Sequence, residues 1–210
     1  MEEYLEQLWN ISFLSLRELQ AKFQVDNSLL RTEGDLQAHL LCAIENKRNE
    51  NIQFEVHSEI TWYENEYHRQ FRRDISLFNT ENVLDENLIA PLNKGFRHQG
   101  PILGIEVKFI RSTDTQNQIL NKTWEDLDRI LNYSHLYYSS DRNKGFPKWF
   151  IIVIGCSFNS DIEFVRHSFL RNIGRFIDEL EIRDLRWRNM HRTIVLPIFL
   201  SVDEVTLLWD

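Results

Sequence analysis

Glu106 and Lys108 stand two residues apart in Gly104-Ile105-Glu106-Val107-Lys108-Phe109-Ile110, interleaved with Ile105, Val107 and Phe109. That alternation is the period of a β-strand, so the acid and the amine leave it on the same face. A carboxylate and an ammonium flanked by apolar residues are costly to desolvate unless something uses them. The earlier segment Phe71-Arg72-Arg73-Asp74-Ile75-Ser76-Leu77-Phe78 also reads as a strand and carries a second acid, Asp74. With these strands side by side, Asp74, Glu106 and Lys108 meet at one place. Two carboxylates beside an amine can capture a hard cation next to a group that handles a proton.

The rest of the chain supplies elements to hold such a site. Residues 2–24 read as a helix, interrupted near Asn10 to Ser12, with Leu5, Leu8, Trp9, Leu16, Leu19 and Phe23 as an apolar stripe. Residues 1–30 are therefore expected as a helical extension that packs on the main domain, residues 31–210, or on a partner. Thr32 is a candidate N-cap with Glu33 and Asp35 in the first turn, and Leu36, Leu40 and Ile44 follow at helical spacing. Glu33 lies on that apolar face, as either a capping residue or part of a site. Ile52 to Trp62 alternates as one long strand with Glu55, His57 and Glu59 on its wet face. Residues 79–100 read as a long loop or insert that overhangs the site.

A helix is expected from about Gln116 to Tyr138, buried through Ile119, Leu120, Trp124, Leu127 and Leu131. Trp149 to Ile154 is a continuous apolar run, as in a strand covered on both faces. Asp161 can cap a helix through about Leu180, and Thr193 to Leu200 is a last strand, with Pro197 placing it at an edge or a bulge. Helix, three strands, helix, strand, helix, strand is the order of an α/β domain with a mixed sheet.

Composition bounds the function. A chain of 210 residues, 42 % hydrophobic and 27 % charged, suits one globular domain. No apolar run is long enough to span a bilayer. Cys42 and Cys156 lack metal-type spacing, lie in apolar segments and read as buried free thiols, which points to a reducing, cytoplasmic setting. The net charge of −8 runs against phosphate binding. The basic residues cluster locally, however: His68, Arg69, Arg72 and Arg73 precede Asp74, and Lys94, Arg97 and His98 precede the Glu106 strand. A basic rim around an acidic centre leaves room for a protein partner or a second copy to add affinity. There is no glycine-rich phosphate loop, no zinc-type His/Cys cluster and no nucleophile elbow.

The Asp on one strand, the Glu-x-Lys on the next, and the helix and strand after them resemble the PD-(D/E)xK, or restriction-endonuclease-like, nuclease superfamily. The resemblance covers roughly residues 32–156 and implies an αβββαβ core. It implies Mg²⁺ (or Mn²⁺) held by Asp74, Glu106 and the backbone carbonyl of Val107, with Lys108 orienting or deprotonating water or steadying the phosphate. The family's first core helix often carries a Glu, which puts Glu33 in the site, and some members place an acid where Glu59 stands. In the later helix Arg129 stands where one branch has Gln, and Tyr133, four residues on, matches its Tyr. These two join Arg72 and Arg73 as expected substrate contacts. The implied activity is phosphodiester hydrolysis, as a DNA endonuclease in defence, repair or mobile-element biology. The alternatives are an RNA-directed nuclease and a catalytically inactive module of the same fold working in a complex.

Overall fold

A computed structural model describes residues 2–48, 52–59, 61–63, 70–79, 96–97, 102–138, 148–183 and 193–208. The main sheet is built on two apolar strands, β6 (Ile102–Ile110) and β7 (Lys148–Cys156), which pair in parallel across α3 (Gln116–Tyr138). The sheet has six strands in the order β1 (Glu55–Ser58), β4 (Ile75–Phe78), β6, β7, β8 (Thr193–Leu200) and β9 (Val205–Leu207). β4 lies between β1 and β6 and is antiparallel to both; β6, β7 and β8 are parallel; β9 returns antiparallel on the far edge. The sheet is therefore mixed, as the element order predicted.

The two faces of this sheet follow from the alternation in β6. Leu103, Ile105, Val107 and Phe109 point to one side, with Ile151 and Val153 of β7. There α1 (Glu2–Val25) and α2 (Glu33–Glu45) cover them, through Leu5, Leu8, Leu16, Leu19, Leu36, Leu40 and Ile44. Each such side chain contributes about 1.5–3 kcal/mol on full burial. On the other side Phe150, Ile152 and Ile154 meet α3 and α4 (Ile162–Arg183) through Ile119, Leu127, Ile130, Val165, Phe169 and Phe176. Among the described residues no helix is long and apolar enough to cross a membrane.

Several expectations change. α1 is continuous through Asn10 to Ser12; the buried hydroxyls of Ser12 and Ser15 are satisfied within it, donating one turn back to the carbonyls of Leu8 and Ile11, 2.8 Å each. Cys42 is exposed and only Cys156 is buried; Cys42 lies off the stripe of Leu36, Leu40 and Ile44 that faces the core. Leu120 and Trp124 are half-buried, and the inner face of α3 is instead Ile119, Thr123, Asp126, Leu127, Ile130 and Leu131. β8 is not an edge strand: β9 lies beyond it, pairing only with Ile198 to Leu200. Pro197 stands just past that pairing, so its missing N–H breaks no ladder bond, and its carbonyl accepts from Leu208 N–H at 2.9 Å.

The most consequential difference is that both expected long strands are broken. The first divides into β1 and β2 (Thr61–Tyr63), the second into β3 (Gln70–Arg72) and β4. β2 and β3 leave the main sheet and pair with each other and with β5 (Phe96–Arg97) in a separate three-stranded sheet. The break falls at Glu59, which has a left-handed backbone (φ 60°), and at Asp74, whose carbonyl accepts from Glu59 N–H at 3.1 Å. Lys94 and His98, in the insert, lie outside the described residues, as do His68 and Arg69.

Candidate active site

The break leaves β6 longer than its neighbour. β4 pairs with Ile102 to Ile105 only, so from Glu106 onward that edge of β6 has no strand beside it among the described residues. Continuing the pairing Ile75↔Ile105 by one residue brings Asp74 opposite Glu106. Asp74 then finishes the ladder with its side chain: Oδ2 accepts from Val107 N–H at 2.7 Å. Gln37 of α2 fixes the bend from the other side, donating to the Asp74 carbonyl at 2.8 Å. The Val107 carbonyl faces the same open edge as its N–H, as strand geometry requires.

Glu106 is 1 % exposed and Oε1 accepts from Arg73 at 2.7 Å; Arg73 is equally buried. The Arg73 stem lies across Gly104, where a Cβ would come within 3.3 Å of it and 3.1 Å of Phe150, and its guanidinium stacks 4.7 Å from the Phe150 ring centre. A side chain at 104 would press on both. Oε2 of Glu106 is 3.7 Å from Arg129. Lys108, mostly buried, sits between two acids: Nζ is 3.4 Å from Glu33 Oε1, at the start of α2, and 3.5 Å from Asp126 Oδ2, on α3. Arg129, one turn after Asp126, is 3.2 Å from its Oδ1. Thr32 caps α2, accepting from Asp35 N–H at 3.1 Å, which leaves Glu33 free to face Lys108.

Burial pushes the Glu106 carboxyl up to about 7, against the opposing pull of Arg73 and with help from Asp126 and Asp74. Burial likewise pushes Asp126 up to about 6, against Lys108 and Arg129. For Lys108, burial acts to lower the value, but Asp126, Glu33 and Asp74 together outweigh it and hold the amine above its ordinary range. Lys108 is therefore a cation at neutral pH, suited to donating to an anionic oxygen.

The structure thus gathers Asp74, Glu106, Lys108 and Glu33, with Arg73 and Arg129. Arg73, expected on a solvent-facing rim, is instead buried against Glu106. Arg72 lies on β3 and Tyr133 on α3, but their side chains are outside the described residues. Glu59 is at the bend, on the exposed surface, 3.4 Å from Gln37. Asp126 was not foreseen. Its signal was its spacing, seven after Ile119 and four before Ile130, which puts it on the buried stripe of α3.

Among the described residues no group of three or more His, Cys, Asp or Glu side chains is placed to hold a metal ion. A divalent cation here would rest on one oxygen each of Asp74 and Glu106, the Val107 carbonyl and water. That hard, mostly hydrated set fits Mg²⁺ better than a softer metal. Comparisons of the chain with family models, with curated proteins and with solved structures give no match.

Proposed function

We propose that this chain is a metal-dependent nuclease with a restriction-endonuclease-like core, hydrolysing phosphodiester bonds in DNA. One observation carries the reading: Asp74, Glu106 and Lys108 converge at the open edge of β6, where β4 ends. The order α2, β1, β4, β6, α3, β7 also supports it, being helix, three strands, helix, strand.

When bound, Mg²⁺ supplies charge to the phosphate and acidifies water. The chain's own residues do the rest. Asp74 and Glu106 each use one oxygen on the protein, to Val107 N–H and to Arg73, and the second oxygen of Glu106 lies 3.7 Å from Arg129. Lys108, charged and held between Glu33 and Asp126, donates to a non-bridging phosphate oxygen as negative charge grows there. Arg129, half-exposed beside Glu106, is placed to meet an adjoining phosphate.

Supercoiled plasmid incubated with Mg²⁺ or Mn²⁺ tests this. The wild type nicks it, and Asp74→Asn and Lys108→Ala each reduce the rate by about 10²-fold or more. Equal rates in all three reject the proposal. Matched single- and double-stranded DNA and RNA identify the preferred substrate. A second reading, an inactive module of this fold acting in a complex, draws on the Glu106–Arg73 pair, which already neutralises one proposed ligand. It predicts no cleavage, no heat on Mg²⁺ titration, and a stable partner on co-purification.

A further inference from the structure

We infer that Asp126 is a positioning residue of this site, holding Lys108 and Arg129 from α3 so that the two cations keep a fixed separation, one for the reacting phosphate and one for its neighbour. The inference rests on the nuclease reading and adds a third element, α3, to the machinery. Asp126 is 2 % exposed, and neither carboxylate oxygen makes an aligned hydrogen bond. Its contacts are ionic: Lys108 Nζ at 3.5 Å on one oxygen and Arg129 at 3.2 Å on the other.

A neighbour shows how α3 treats a polar group with a purely structural role. Thr123, three residues earlier and also buried, donates to the Ile119 carbonyl at 3.0 Å and accepts from Asn172 of α4 at 2.6 Å. Asp126 has no such satisfaction, and a buried carboxylate without hydrogen bonds is destabilising compared with an uncharged side chain of similar size. What it gains is control of two flexible cations. A lysine stem samples many rotamers, and Glu33, to which Lys108 also donates at 3.4 Å, is half-exposed. Asp126, locked on a packed helix, is the fixed point. It lies on the same helical face as Arg129, three residues on, so one carboxylate sets the separation of both cations.

Asp126→Asn keeps the shape and removes the charge. In steady-state cleavage it is expected to lower kcat by about tenfold or more with KM within about threefold, while Asp126→Glu recovers part of the loss. The thermal midpoint of the Asn variant is expected to equal or exceed that of the wild type. Cleavage within about twofold of wild type, or a lowered midpoint with unchanged cleavage per folded molecule, overturns the inference. A second readout does not need activity. Acylation of Lys108 by acetic anhydride, followed by peptide mapping with exposed Lys22 as internal standard, is expected to speed up about threefold or more in Asp126→Asn. If the wild type cleaves nothing, the nuclease reading fails alone, and the acylation rate decides: a rise supports Asp126 as the holder of Lys108, and an unchanged rate overturns it.

Discussion

The two faces of the central sheet are built on opposite terms. On the side of α1 and α2, β6 presents Leu103, Ile105, Val107 and Phe109 to an apolar layer without buried charge among the described residues. On the side of α3 and α4, the same strand presents Gly104, Glu106 and Lys108, and buries Arg73 and Asp126 with them. Buried charge stabilises little, and each group left without a partner costs several kcal/mol. The dry face lets the other be used for chemistry: a sheet charged on both sides would not hold together.

Four experiments break or sharpen that contrast. The largest effect belongs to Glu106→Ala, which removes the carboxylate paired with the buried Arg73 guanidinium and should cost about 3–5 kcal/mol in urea unfolding. Leu103→Ala on the dry face should cost a similar amount, about 2–5 kcal/mol, through a cavity. The double change Arg73→Met with Glu106→Leu tells the two faces apart. It should leave stability unchanged or raised by about 1–4 kcal/mol, whereas the dry face has no charge to remove.

Next comes pH dependence, measured without divalent metal. Asp126 and Glu106 titrate at about 6 and about 7 in the folded chain, above their ordinary 3.8 and 4.5. The folded state therefore holds extra protons between those limits, and their stabilisation, complete below about pH 4, is lost as pH rises through about 7. Asp126→Asn should flatten the lower part of that fall, up to about pH 6; a thermal-midpoint profile unchanged from the wild type counts against the charged face as the source.

Smaller still is a matched pair of glycine substitutions. Gly104→Ala crowds Phe150 and Arg73 on the charged face, and Gly155→Ala brings a Cβ within 2.6 Å of Leu36 on the dry one. Each should cost about 1–3 kcal/mol, but only Gly104→Ala should also impair cleavage, by moving Arg73 off Glu106. The smallest change is Thr32→Ala, which removes the cap of α2 for about 1 kcal/mol and, by loosening Glu33, slightly slows cleavage.

Much of this was legible in the sequence because periodicity and turn chemistry are local. Helix 116–138, strand 193–200 and the Thr32 cap stand where spacing places them. The same-face Glu106 and Lys108 needed only a two-residue period. What escaped was long-range. The alternation in Ile52 to Trp62 and in Phe71 to Phe78 runs through the bend without a glycine or proline to mark it. Glu59 adopts a left-handed backbone that its residue type does not announce. Arg73 was misread and Asp126 passed over for one reason: a charged residue is assigned to solvent by default, and only the packed neighbours show otherwise.

The bond from Asp74 to Val107 N–H has a consequence for descent. An oxygen at position 74 closes the backbone ladder whether or not the chain cuts anything. Lineages that abandoned cleavage would be free to lose the negative charge but not the acceptor. In them asparagine, serine or threonine should replace aspartate there, while alanine, valine or leucine should stay rare.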